Sequence, residues 1–375
     1  MSDNLLNLPI DQKIGQLFFI GIPTFEITPE TKALLSDINP GGICLFARNI
    51  RTADQTRHLN DEIIEILPIK PLISIDQEGG LVDRLRRLLN PMPSPRIIHQ
   101  KGDLADVQKL AAIIAEVLRI LGFNMDFAPV VDVVTTDREK FSNALYTRIY
   151  GDTKHTVKEF AEVFLNSLQA GGILGCLKHF PGLGASNIDS HEELPFANST
   201  RSELFETDLF PYQNLFEAGQ VHAVMLAHAT FPNFDLQEKD SSGKLLPTSL
   251  SHQIIEQLLR QELGFRGLTM TDDLEMGAIL KNYSFGEACK MAILAGEDML
   301  CVSSNLNFMH EGFEAIRQAV KVGEISESRI DESLQRITHI KSLTKSPLEF
   351  DTNRLRELSA EIAALNAKLN YSYGG

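Results

Sequence analysis

Short apolar runs alternate along this chain with longer amphipathic ones, and that rhythm predicts its elements. Apolar runs at 15–22, 41–47, 71–76, 125–132, 174–180, 223–228, 268–272 and 298–303 read as strands. Segments 29–38, 52–67, 104–121, 156–170, 201–218, 284–295, 307–322, 326–343 and 353–369 carry helical spacing, 104–121 most strongly. A further helix opens at Ser251, a plausible N-cap, and ends at or just before Gly264, while Gly296 closes the helix before it as a C′ glycine. Eight strand candidates separated almost throughout by helices predict an α/β fold, a (β/α)8 barrel. A doubly wound open sheet is the alternative, but the first strand-to-helix turn lacks a G-x-G-x-x-G phosphate loop. Residues 1–345 are expected to form one barrel, and 346–375 a helical extension packed on it.

In such barrels the strands' C-terminal ends build the active site. Here five successive strands end in ionisable groups: Asp76-Gln77-Glu78, Asp132, Lys178-His179, His228 and Asp272-Asp273. One acid after a strand is ordinarily a turn or cap; five converge on one rim. Carboxylates with Lys178, His179, Arg84 and Arg148 suit a neutral polyol, whose hydroxyls take charge-assisted hydrogen bonds. Successive strand side chains alternate, so at most one of Asp272 and Asp273 faces the pocket, and periodicity does not say which. The stretch Lys178-His179-Phe180-Pro181-Gly182-Leu183-Gly184 runs into a loop holding Asp189-Ser190-His191. His179, His191 and His228 could also suggest a metal site, but the first strand lacks the His-x-His such hydrolase barrels show. No metal or cofactor is expected.

Composition narrows the partners. The chain has 375 residues, 43% hydrophobic and 23% charged, with a net charge of −15 that disfavours nucleic acid and anionic membranes. Its first residues show no signal-peptide pattern, and no apolar run approaches the ~20 residues of a membrane span. Cys44, Cys176, Cys289 and Cys301 form no CxxC pair and read as buried thiols. A cytoplasmic, monomeric protein is the expectation.

Several motifs resemble glycoside hydrolase family 3, in particular its single-domain β-N-acetylglucosaminidases. The likeness spans about residues 14 to 303. It rests on Gly41-Gly42 through Asn49, on Asp76-Gln77-Glu78-Gly79-Gly80 with Arg84, on Asp126 through Asp132, and on Arg148-Ile149-Tyr150-Gly151. It rests also on the Lys178–Gly184 stretch with Asp189-Ser190-His191, and on Met270 through Met276. The resemblance implies Asp272 as nucleophile, His191 as general acid/base and Asp189 as the group orienting it. It implies sugar contacts from Asp76, Arg84, Arg148, Lys178 and His179, with His228 on the same rim. Leu183 replaces a family histidine and Leu81 a usual arginine, which bears on the leaving-group preference.

Retaining glycosidases usually employ two carboxylates ~5–5.5 Å apart. A histidine near pKa ~6.5 can replace the acid and switch roles at neutral pH, with Asp189 as its partner. Many β-glucosidases of this family take their acid from a second domain, whereas here a barrel loop must supply it. The resemblance then implies hydrolysis of terminal β-linked N-acetylglucosamine from peptidoglycan fragments during recycling. A phosphorylase or β-glucosidase of the same family is the alternative, and a catalytically inactive sugar-binding barrel the second.

Overall fold

The computed structural model describes residues 5–139, 145–186 and 193–373. Strands β1 (Phe18–Gly21), β2 (Gly42–Leu45) and β3 (Leu72–Ile75) pair in parallel. A small hairpin follows, β4 (Gln77–Gly79) with β5 (Val82–Asp83). The main sheet then continues through β6 (Met125–Asp126), β7 (Leu174–Gly175), β8 (Leu177–Phe180), β9 (Ala223–Leu226), β10 (Leu268–Asp273) and β11 (Met299–Val302). Its nine strands run β7-β6-β3-β2-β1-β11-β10-β9-β8. Only Cys176 separates the outermost two, so β7 and β8 are halves of one strand, and the sheet curls into a closed eight-position α/β barrel. The seam is tied by Cys176 N to Ala128 O at 2.9 Å and Val131 N to Lys178 O at 2.8 Å.

The core strands are buried along their length, as expected of parallel strands covered by helices outside and packed side chains inside. Their apolar runs are therefore continuous rather than alternating. Thr28, Thr52, Asp103, Thr153 and Ser326 cap their helices by accepting a backbone N–H, which sets where the chain turns from rim to outer layer. The C-terminal helix Thr352–Leu369 presses Leu355, Leu358, Ile362, Leu365 and Leu369 against the main core. Arg354–Glu116 (2.6 Å) and Lys368–Asp106 (2.6 Å) flank that contact. Among the described residues, no helix is long and apolar enough to cross a membrane.

Several expected elements differ in extent. The run 15–22 yields a strand only from Phe18, because a helix, Ile10–Gly15, occupies its start. The run 125–132 pairs only at Met125–Asp126 and again as a bridge at Val130. Pro129, without an N–H, cannot continue the ladder. The helix expected over 201–218 is broken into Arg201–Glu203, a wide π turn Leu204–Asp208 and Phe210–Glu217, the last with Pro211 in its first turn. The helix after Ser251 is Gln253–Glu262, wound in the π form, with Ser251 Oγ accepting the Ile254 N–H at 3.3 Å.

Candidate active site

The rim begins with Asp76 at the end of β3. The next residues turn back sharply through Gly79 (φ +91°) and Gly80 (φ +59°). A Cβ on Gly79 would lie 2.3 Å from the Pro93 carbonyl oxygen, and one on Gly80 2.4 Å from Ser94 Cβ, so both positions require glycine. This turn places Glu78 under the pocket, 3% exposed.

Glu78 is the hub of the charged floor. Its Oε2 accepts Arg148 Nε at 2.7 Å and its Oε1 accepts Arg148 Nη2 at 2.8 Å, a bidentate pair. Lys178 Nζ reaches Glu78 Oε1 at 2.6 Å and Asp76 Oδ1 at 2.7 Å. Arg84 lies 3.9 Å from Asp76 Oδ2. Burial pushes the Glu78 carboxyl up, but the Arg148 and Lys178 charges overcome it and hold the group well below the carboxylate range. Burial disfavours the Lys178 cation, yet Asp76 and Glu78 more than compensate and raise its pKa.

A second pair sits beside the first. Asp132 Oδ2 lies 2.8 Å from His179 Nδ1, while Asp132 Oδ1 accepts the Leu183 N–H at 2.7 Å. His179 Nε2 approaches Arg148 Nη2 at 3.5 Å. One buried carboxylate thus fixes both the histidine and the start of the loop after it. Leu183 is buried in the core cluster on this side, whereas Leu81 stands 63% exposed at the tip of the β4–β5 turn.

The ambiguity at Asp272-Asp273 is resolved by register. Met270 pairs with Met299 and Asp273 with Cys301, so β10 holds one residue more than β11 between them. This bulge aims Asp272 at the pocket. Burial would raise its pKa, but His179, His228, the Asp273 N–H and Lys178 together hold it below the usual value. The Asp273 N–H donates to Asp272 Oδ1 at 2.8 Å. Asp273 instead caps the Glu275 N–H (3.0 Å), and burial pushes its own carboxyl up to about 6. Glu275 accepts the N–H groups of Ser304 (2.7 Å) and Asn305 (2.8 Å), locking the loop after β11 against the end of β10.

Of the residues singled out in sequence, Asp76, Arg84, Arg148, Lys178 and His179 come together through these contacts, and Asp272 joins them electrostatically. His228 does not belong with them as a sugar contact. It is fully buried, with Nδ1 on Ser249 Oγ (2.7 Å) and Nε2 on the Asp273 carbonyl (3.0 Å), so neither ring nitrogen is left for a hydroxyl. Asp189 and His191 lie outside the described residues. Glu78 and Asp132 were visible at strand ends but carried no assigned role. Counting charge would have found Glu78, because Lys178, Arg84 and Arg148 outnumber Asp76. Ser249 had no sequence signal. Cys44, Cys176 and Cys301 are free, buried thiols close to the acids of the site.

Residues 9–340 match the glycosyl hydrolase family 3 N terminal domain. The chain belongs to glycosyl hydrolase family 3. Similar curated proteins in this family include "Beta-hexosaminidase A" of Pseudoalteromonas piscicida, 28% identical over 92% of this chain and 58% of that protein. The "Beta-hexosaminidase" of Psychromonas ingrahamii is 30% identical over 75% of this chain and 80% of its own length. A solved structure of a family 3 β-N-acetylglucosaminidase from Paenibacillus sp. str. FPU-7 superposes with a TM-score of 0.86 at 34% identity, over 96% of this chain and 69% of that one. The chain thus spans little more than half of the first of these relatives. The (β/α)8 barrel expected from the strand pattern is the fold observed, and it is shared with the Paenibacillus structure.

Proposed function

We propose that this chain is a retaining β-N-acetylglucosaminidase, with residues 1–345 as its catalytic barrel and 346–375 as an outer extension. The observation that carries the reading is Asp272: a half-buried aspartate held ionised, one oxygen pinned by the Asp273 N–H, with Lys178 and His179 as favourable charged neighbours. In the first step the Asp272 carboxylate attacks the anomeric carbon, and the leaving-group oxygen takes a proton from His191. In the second, His191 removes a proton from water, which attacks the same carbon and frees Asp272. Asp189 orients His191. Asp76, Arg84, Arg148, Lys178 and His179 hold the sugar, with Glu78 and Asp132 fixing the cations and the imidazole that do so.

The family relatives named as β-hexosaminidases, and the Paenibacillus enzyme in particular, support a 2-acetamido sugar. Terminal β-linked N-acetylglucosamine on cell-wall fragments, met in the cytoplasm by a monomer, completes the proposal.

A panel of aryl β-glycosides with and without the 2-acetamido group tests the substrate. N-acetylglucosaminides are expected to react fastest, releasing free sugar with or without phosphate; sugar 1-phosphate as the main product would sink the hydrolase reading. His191→Ala is expected to cost about 10²–10⁴-fold on poor leaving groups, the scale of general-acid catalysis, and far less on activated aryl ones. Equal losses would remove His191 as the acid. Because Asp272 must be ionised to attack and its pKa is depressed, the acid limb of kcat/KM should fall below the ordinary aspartate value of about 3.9. A limb near pH 6 assigned to the nucleophile would contradict this.

A further inference from the structure

The bulge that presents Asp272 shifts the register of β10 against β11. There the Cys301 N–H also lies within hydrogen-bond distance of the Thr271 hydroxyl, at 3.1 Å. Toward β9, pairing runs in register from Leu268–Ala223 to Thr271–Leu226 and stops. The next residue, Ala227, gives its N–H to Phe180 O on β8 at 2.9 Å. On this side the Asp273 carbonyl has no paired β9 residue opposite it. A carbonyl left without a partner away from water is costly, and here a side chain serves it. That side chain is His228, whose Nε2 lies 3.0 Å from Asp273 O.

The protons in this contact follow from the partners. A carbonyl only accepts, so Nε2 carries the hydrogen. Burial lowers the pKa of His228 against the opposing pull of Asp272, which leaves the ring neutral and Nδ1 with a lone pair. Ser249 Oγ, 2.7 Å from Nδ1, must then be the donor. Ser249 is itself anchored: its N–H donates to Ala227 O at 3.2 Å, and the neighbouring Thr248 hydroxyl donates to the same oxygen at 2.6 Å. The turn at 248–251 is thus clipped onto the strand end that bears His228.

We propose that His228, in the tautomer imposed by Ser249, is a positioning residue for attack by Asp272: it braces the bulged Asp273 residue, whose N–H holds Asp272 Oδ1. The contact chain is Ser249 Oγ–H to His228 Nδ1, His228 Nε2–H to Asp273 O, and Asp273 N–H to Asp272 Oδ1. No link in it touches the sugar. The inference rests on Asp272 being the nucleophile.

The test uses the whole chain and a 4-nitrophenyl β-N-acetylglucosaminide. Ser249→Ala frees the imidazole to adopt the other tautomer and is expected to lower kcat about 10- to 100-fold, the usual cost of losing a partner that orients a reacting group. His228→Gln keeps a donor but not its rigidity and should fall in the same range. The inhibition constant of free N-acetylglucosamine should stay within about twofold in both, because sugar contacts are intact. Ser249→Thr, which keeps the hydroxyl, should recover most of the lost kcat. The rate of inactivation by a 5-fluoro-β-N-acetylglucosaminyl fluoride, which reports attack by Asp272, should fall in parallel with kcat. Weaker N-acetylglucosamine inhibition with an unchanged saturating inactivation rate would return His228 to sugar binding and overturn the proposal. A lowered melting temperature with kcat unchanged would make the pair purely structural and also overturn it. A normal rate in Asp272→Asn would remove the nucleophile assignment, and this proposal with it, whereas the Ser249 results can fail alone.

Discussion

Asp272→Asn is expected to lower kcat on an aryl β-N-acetylglucosaminide by at least about 10⁴-fold, the scale on which removing a covalent nucleophile acts. The amide has the shape of the carboxylate and can still accept the Asp273 N–H through its oxygen, so the bulge should persist. What disappears is the charge proposed to attack the anomeric carbon. The wild-type carboxylate is half-buried and is held ionised by His179, the Asp273 N–H and Lys178 among its neighbours, so an uncharged substitute gives up those favourable interactions as well as the cost of burial. Because the folded-state pKa of Asp272 is depressed, its charge contributes stability at neutral pH, so a modest fall in melting temperature is expected while the protein stays folded at the assay temperature and turnover is lost. Activity within about a hundredfold of wild type, after excluding deamidation back to aspartate by mass spectrometry, would show that another group attacks.

The barrel was legible because its strands are continuous apolar runs and its helices are amphipathic, two patterns that a single sequence separates well. The strand ends were legible for a different reason: Asp76, Asp132, Lys178, His179 and Asp272 are ionisable groups where the apolar run stops, and such groups need a polar cavity. What the sequence could not carry was register. The choice between Asp272 and Asp273 depends on one extra residue opposite Met299–Cys301, a property of the paired strands and not of either alone. His228 looked like a rim residue and is instead engaged by the Ser249 hydroxyl and the Asp273 carbonyl, partners no single stretch of sequence announces. Leu183 shows the limit of reading a departure from a family pattern. Its side chain joins the core, and its contribution to the site is a backbone N–H to Asp132, which any residue but proline could make. The assignments at Asp189 and His191 rest on sequence, because both lie outside the described residues.

Glu78→Ala is expected to destabilise the protein by about 3–5 kcal/mol, the cost of leaving buried cations without their counter-ion. Glu78 receives two donors from Arg148 and one from Lys178, and Lys178 is itself only 2% exposed. Asp76 remains for Lys178, but Arg148 has no other carboxylate within ion-pair distance among the described residues. Glu78→Gln keeps one acceptor yet turns an NH2 toward donors of Arg148 or Lys178, so it should lie between alanine and wild type. The pH dependence has a defined sign. The folded-state pKa of Glu78 is depressed, so its contribution is fully present above the unfolded glutamate value of about 4.3 and is lost as pH falls through the folded pKa. The difference between wild type and Glu78→Ala in urea denaturation should therefore be level from pH 5 to 8 and shrink only in stronger acid. A difference under about 1 kcal/mol at pH 7 would be that of a solvent-exposed ion pair, and would mean that water, not Glu78, balances the Lys178 and Arg148 charges. Activity gives the second arm. With Arg148 unpaired and Lys178 held by Asp76 alone, kcat/KM should drop about 10- to 100-fold even in the fraction that remains folded, because the cations proposed to hold the sugar lose a carboxylate that aims them.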